Sequence, residues 1–203
     1  VDLDTATGQF VPSTLTPPTA VDMSGFDLTT AISFRMGLEN NVIVVGQVLA
    51  ANGALIKVFH LSGTAYTLHQ TINIGTGDVT SGDALEIEIG GLSSTSAAFG
   101  HAFCMGIGLP NKDNDTGEAY LYAVNKDTLD YELVSTLTDP TASNGFAATL
   151  ASGDKGGYSV AVDGYPSYIS ALSSTYANCF FAASSKSGGT GVMYSGYHKH
   201  ASD

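Results

Sequence analysis

Charged residues are scarce in this sequence, and basic residues are the scarcest of them. Only 13% of the 203 residues are charged, about half of the usual share in soluble proteins. Nineteen acidic residues against seven basic ones give a net charge of −12, and Arg35 is the single arginine. Such a surface repels phosphate groups and offers no basic patch. We therefore expect neither a nucleic acid nor an anionic membrane surface as a partner.

Long apolar runs and helix-forming residues are also missing. No run of 18 apolar residues occurs, so we expect no membrane insertion. Lys, Glu, Arg and Gln are few, whereas Val, Ile, Thr, Tyr and Phe are plentiful, and this balance favours strands over helices. The sequence starts at Val1 without an initiating Met or a signal-peptide pattern, which we interpret as a mature chain from which a segment was removed.

Cysteine occurs only twice, as Cys104 and Cys179. Each lies inside an apolar run that is typical of a buried strand. We expect two free thiols that pack as small hydrophobic residues, with a disulfide as the alternative.

Half of the six prolines fall in residues 1–30, as Pro12, Pro17 and Pro18. Proline removes backbone donors and holds the chain extended. We expect residues 1–30 to form an extended Pro/Thr-rich arm along the protein surface or against a neighbour, with a disordered leader as the alternative.

Strand patterns begin after this arm and predict an antiparallel meander of four strands. Residues 32–36 alternate apolar and polar side chains, and residues 42–46 form a continuous β-branched run. Asn52-Gly53 is a hairpin signal, and residues 54–61 and 66–74 supply the next two strands.

Similar strand groups follow twice along the chain. After one alternating strand at residues 84–89, the second group has strands at residues 99–108, 118–124 and 131–137; the third has strands at residues 157–162, 178–183 and 192–197. This recurrence predicts a β-repeat domain at residues 31–203, with units at about 31–90, 91–150 and 151–203.

The second unit resembles the FG-GAP repeat of integrin-type β-propellers. It contains Phe99-Gly100, then Gly108-Leu109-Pro110, then the Gly-x-x-Tyr-x-Tyr pattern of residues 117–122. The third unit matches at Gly157-Tyr158 and at residues 191–197, and the first only at Gly46 and residues 53–59.

The resemblance implies an all-β fold of antiparallel meander repeats, propeller-like, with a β-sandwich or jelly roll as the alternative. Three units are too few to close a propeller, which typically has four to eight blades. Closure would need further blades in the divergent segments or another chain. In separate repeats the equivalent Cys104 and Cys179 should lie too far apart for a disulfide, which requires Cα atoms within about 7 Å.

Oxygen ligands alternate in the turn of residues 111–118, as calcium sites require. Asp113, Asp115 and Glu118 are therefore candidate calcium ligands, with an ordinary acidic hairpin turn as the alternative. Family members often carry an Asp-rich calcium loop between the first two strands of a blade, and the second unit has no room for it. Asn114-Asp115-Thr116 also has the form of a glycosylation acceptor.

No catalytic constellation is present in the sequence. Residues 157–161 approximate a nucleophile elbow around Ser159, but the final glycine and the following helix are missing, so we expect a strand there and no enzyme. Tyrosines concentrate near the C-terminus and suit contacts with sugars or proteins, with packing of strand edges as the alternative. The candidate binding residues are Tyr165, Tyr168, Tyr176, Tyr194 and Tyr197.

These observations together predict a non-enzymatic structural protein of an extracellular or virion-surface assembly. It would associate with itself through its β-repeats and N-terminal arm into an oligomer, filament or particle. The alternative is a propeller-like adhesion module that binds a glycan with or without calcium.

Overall fold

The protein is built from antiparallel strands, which confirms the all-β prediction. The computed structural model describes residues 2–4, 9–11, 21–27, 29–39, 41–49, 53–75, 85–91, 104–125, 128–138, 148–165, 178–187 and 190–198.

A short hairpin lies at the N-terminus. Strands β1 (Asp2–Asp4) and β2 (Gln9–Val11) pair antiparallel, with Leu3 opposite Phe10. The three prolines of the predicted arm fall in residues 12–20, outside the described residues.

The first sheet is the predicted four-stranded meander. Its strands β3 (Ala31–Glu39), β4 (Val42–Leu49), β5 (Gly53–Ser62) and β6 (Ala65–Ile74) lie side by side in chain order. The turn before β5 requires glycine, because Gly53 has a φ of +88° and a Cβ there would lie 2.1 Å from the Ile74 carbonyl oxygen.

The second and third sheets are also meanders. The second contains β7 (Glu86–Gly90), β8 (Cys104–Leu109), β9 (Glu118–Val124) and β10 (Tyr131–Thr136), with one short helical turn, α1 (Lys112–Asp115), between β8 and β9. The third contains β11 (Ser159–Tyr165), β12 (Asn178–Ser187) and β13 (Thr190–His198). The strand β7, which lies within the predicted unit 31–90, pairs with β8 of the second sheet.

The second sheet is packed between the other two. Strands β3 and β4 contact β7 on one side, and β11 and β12 contact β7, β8 and β9 on the other. Every residue of β8 and β9 is buried, as expected for strands covered on both faces. One core therefore runs through all three sheets and includes Val44, Ile107 and Phe181.

Glycines bring the second and third sheets unusually close together. A Cβ on Gly108 would lie 2.1 Å from the carbonyl oxygen of Gly157, and one on Gly106 would lie 2.8 Å from the Val162 side chain. Side chains larger than hydrogen are therefore excluded where the two backbones approach.

Cys104 of β8 and Cys179 of β12 form a disulfide across this close contact, with Cα atoms 5.8 Å apart. The prediction of two free thiols is wrong, and so is the expectation that these positions lie too far apart to be bridged. The short distance follows from the glycine contact, which the repeat interpretation did not include. Within the described residues, none of the sheets closes on itself, so a propeller-like arrangement is not established.

Residues 21–27, which we call the N-terminal cap, cover the middle of the outer face of the first sheet, whereas Met36, Leu38 and Leu68 are exposed on that face. Phe26 of the cap is buried against Val45 and Phe59, and its ring meets that of Phe34 edge-on at 6.0 Å. The Asp27 amide donates to Gln47 Oε1 at 2.9 Å, and Lys57 Nζ donates to the Ser24 carbonyl oxygen. The cap therefore covers this end of the stack only in part.

Candidate functional site

The turn predicted to bind calcium has a left-handed backbone. Asp113, Asn114 and Asp115 have φ values of 51°, 57° and 63°, a conformation that Asp and Asn tolerate better than other side chains. The Asp115 carbonyl oxygen accepts hydrogen bonds from the amides of Gly153 at 3.0 Å and Lys155 at 2.8 Å. The turn is therefore held by the loop before β11, and this carbonyl is already occupied by protein donors.

The three predicted calcium ligands are each engaged by different protein groups. Asp113 pairs with Lys112 Nζ at 2.8 Å. Asp115 Oδ1 accepts from Asn111 Nδ2 at 2.7 Å, and its Oδ2 lies 3.7 Å from Lys155 Nζ. Among the described residues, no group of three or more His, Cys, Asp or Glu side chains is arranged to hold a metal ion.

Glu118 is buried and stabilises the start of β9. Its Oε1 accepts from the amides of Ala119 and Thr138, both at 3.1 Å, and its Oε2 accepts from the Thr138 hydroxyl. A buried carboxylate is stable only when such donors replace water. We conclude that Glu118 joins β9 to the segment after β10.

Three tyrosines in this region are unsuited to proton transfer near neutral pH. Burial raises the pKa of Tyr120, Tyr122 and Tyr131 well above the usual range, and the negative charges of Glu118 and Asp113 raise that of Tyr120 further. All three phenols therefore stay neutral and contribute to packing.

A second candidate region is the outer face of the third sheet, which points away from the core. Phe180 and Met193 are 53% and 76% exposed there, although both are large and apolar. A shallow depression of about 590 Å³ lies beside Phe180, between the small side chains of Ala161, Ala182 and Ser195. Among the residues whose side chains the structure describes, we define the outer face by Ser159, Ala161, Asp163, Phe180, Ala182, Ser184, Lys186, Met193 and Ser195.

One aromatic and one cation meet at the end of this face. Lys186 Nζ lies 4.8 Å from the centroid of the Tyr158 ring and 3.3 Å from its hydroxyl. Such a contact contributes about 0.5–1 kcal/mol at an exposed position. It also holds the Lys186 ammonium group at the edge of the outer face of the third sheet.

The structure describes the side chain of only one of the five predicted binding tyrosines. Tyr194 is half-buried and packs against the core, so it is a structural residue. Tyr165 and Tyr197 lie in β11 and β13, but their side chains are outside the described part of the structure, as are Tyr168 and Tyr176 entirely. Ser159 lies in strand β11, as expected, and is not on a strand-to-helix turn.

One sequence pattern indicates that the third sheet has an exposed aromatic residue. Phe180 and Phe181 are adjacent, and neighbouring residues of a strand point to opposite faces of the sheet. A three-stranded sheet covered on one side can bury only one of them. Phe181 is buried and Phe180 is exposed.

A β-bulge in β6 creates contacts that the sequence did not predict. Phe59 pairs with Leu68 and Val58 pairs with Gln70, so His69 is an extra residue in β6. His69 stacks on His60 with ring centroids 4.0 Å apart, and its Nε2 lies 3.1 Å from Asp130 Oδ1. The bulge thereby links the first sheet to the second.

No model of a known protein family matches the chain, and a search of curated proteins also finds no match. Among the described residues, no helix is long and apolar enough to cross a membrane.

Proposed function

We propose that this chain is a non-enzymatic structural module of an extracellular or virion-surface assembly, and that it associates with further copies of itself. The observation that carries the proposal is the exposure of two large apolar side chains, Phe180 and Met193, on the outer face of the third sheet. Large apolar residues exposed together on a soluble protein mark surfaces that contact another molecule.

Large apolar side chains are exposed at both ends of the stack, which supports self-association. The N-terminal cap buries Val45 and Phe59 on the outer face of the first sheet, but it leaves other apolar side chains of that face, such as Met36, exposed. On the third sheet, Phe180 and Met193 remain exposed at the other end. A stack of sheets needs a polar or covered surface at each end to stay monomeric.

The disulfide supports the proposed location. Cys104 and Cys179 are buried and bonded, and such bonds persist in oxidising compartments such as the cell exterior.

Sedimentation velocity over a range of concentrations tests this function. We expect the mean mass to rise with concentration, and we expect the double variant F180S/M193S to remain monomeric. The matched control is L133S, because Leu133 is 52% exposed on β10, away from the outer face, and should associate like the wild type. A wild-type chain that stays monomeric at the highest soluble concentration contradicts the proposal.

A second candidate is a glycan-binding or adhesion module of the FG-GAP type. One specific observation favours it: three consecutive meanders lie face to face in chain order, as the blades of a propeller do. A glycan array with and without a chelator separates the two candidates. The adhesion module predicts a sugar signal, and loss of that signal with chelator would indicate calcium dependence.

A further inference from the structure

We infer that the outer face of the third sheet pairs with the same face of a second copy about a two-fold axis. This inference rests on the proposed self-association and specifies its geometry. The chain has two candidate surfaces for a second copy, the outer face of the third sheet and the outer face of the first sheet.

Head-to-tail stacking, third sheet on first sheet, is obstructed by the N-terminal cap. Phe26 is only 9% exposed between the cap and the sheet, and Lys57 Nζ lies 4.9 Å from the centroid of its ring. A neighbouring sheet could reach Val45 and Phe59 only after the cap left. The third sheet is exposed as it stands, so a face-to-face pair requires no rearrangement.

The shape of the outer face is self-complementary. The strand register places Ala161, Ala182 and Ser195 in one row of small side chains, and Ser159, Ser184 and Met193 in the next. Consider a two-fold axis that runs perpendicular to the strands, midway between these two rows. This axis places the first row of one copy opposite the second row of the other copy. Met193 of each copy then lies over the small-residue row of the other, opposite Ser195.

The charges fit the same axis. Asp163 and Lys186 are the two ionisable side chains of the outer face as defined above, so this face is neutral on a chain with a net charge of −12. Asp163 pairs with Phe180 in the sheet, and Lys186 is six residues further along β12, roughly 20 Å away. The two charges are therefore too far apart to pair within one copy. The two-fold axis brings Lys186 of each copy over Phe180 and beside Asp163 of the other.

The expected affinity follows from the size of the face. Three strands spaced by about 4.8 Å and about seven residues in length give a surface of roughly 14 by 23 Å. This area is well below the roughly 800 Å² per partner of a stable complex, so we expect weak dimers at micromolar or higher concentration.

Cysteine cross-linking tests the axis. The native thiols are bonded to each other, so only an introduced thiol reacts. Residues 182 and 184 lie opposite each other across the proposed axis. A mixture of A182C and S184C should be cross-linked by a short bis-maleimide, which can bridge the roughly 10 Å between packed sheets, faster than either variant alone. L133C at the same concentration should stay uncross-linked.

A charge exchange tests the register independently. K186E alone and D163K alone should each raise the dissociation constant by roughly fivefold. The double variant D163K/K186E should recover most of the wild-type value, because the exchanged charges meet again between copies. If either residue has only a structural role, the double variant should not recover the wild-type dissociation constant.

The outcomes separate the pairing geometry from the proposed function. A concentration-dependent dimer with the 182–184 cross-link and charge recovery supports the two-fold pairing. Association without this cross-link, or growth into open-ended filaments, refutes the two-fold pairing and leaves self-association standing. A wild-type chain that does not associate refutes both.

Discussion

Gln70 and Tyr131 are 61 positions apart in the sequence and are joined by two hydrogen bonds. Gln70 Nε2 donates to the Tyr131 carbonyl oxygen at 2.9 Å, and the Tyr131 amide donates to Gln70 Oε1 at 2.8 Å. The bulge at His69 places Gln70 opposite Val58, where its amide group reaches β10. The Gln70 side chain thus forms both hydrogen bonds with the backbone of Tyr131 and joins the first sheet to the second.

Replacing Gln70 with Leu should therefore destabilise the protein by about 1–3 kcal/mol. The substitution removes both hydrogen bonds and leaves the backbone groups of Tyr131 without these partners in a largely buried region. Urea unfolding measures the effect. The control is T71V, because the neighbouring Thr71 is exposed and its substitution should change stability by less than about 0.5 kcal/mol. Equal effects of the two variants would contradict the role assigned to Gln70.

The disulfide should contribute about 2–5 kcal/mol to stability, because it closes a loop of 75 residues in the unfolded chain. We expect C104A/C179A to show this loss and to be insensitive to reducing agent. The wild type should lose a similar amount only when reductant is present. If the wild type unfolds at the same urea concentration with and without reductant, the bond is absent or has no effect on stability.

Substitution of Gly108 by Ala should destabilise the contact between the second and third sheets. The added Cβ would lie 2.1 Å from the Gly157 carbonyl oxygen, a backbone atom that moves only if the sheets separate. We expect a loss of about 1–3 kcal/mol or more by urea unfolding. The control is G75A, because no atom of the described residues, apart from its two chain neighbours, lies within 4 Å of a Cβ at Gly75. A G108A variant as stable as G75A would show that the sheets are further apart than described.

Local patterns predicted the strands well and their partners less well. Alternation and the Asn52-Gly53 turn signal predicted the first meander, because hairpins are determined by short-range sequence. The partner of Glu86–Gly90 is separated from it by residues 91–103, and local periodicity carries no information on which sheet such a strand joins. The disulfide was not predicted for the same reason, because the close contact at Gly106 and Gly108 depends on tertiary packing.

The candidate site was harder to predict than the fold. Glu118 follows an acidic turn in the sequence, which favours a role as a calcium ligand. In the structure, however, the amide of Thr138, 20 residues later, donates a hydrogen bond to its carboxylate. The exposed position of Phe180 depends on which face of the third sheet is covered. Neither fact can be obtained from the spacing of residues along the chain.

The N-terminal cap should loosen in acid, because its conformation depends on a carboxylate. Asp27 Oδ1 accepts from the amides of Thr29 at 2.8 Å and Thr30 at 3.0 Å, and Oδ2 accepts from the Thr30 hydroxyl at 2.5 Å. These hydrogen bonds, with that from the Thr30 hydroxyl the strongest, lower the pKa of Asp27 below its ordinary value of 3.8.

A lowered pKa in the folded state has a definite consequence for stability. The contribution of Asp27 is fully present above its ordinary pKa and is lost as the pH falls through the lowered value. We expect D27N to be less stable than the wild type at neutral pH and equally stable near pH 2. Urea unfolding across this range measures the difference, and E88Q, at an exposed acid of β7, is the control.

Because the cap covers Val45 and Phe59, its loosening should also increase binding of a hydrophobic dye at neutral pH in D27N but not in E88Q. A stability difference between D27N and the wild type that does not change with pH would show that the carboxylate charge of Asp27 does not hold the cap.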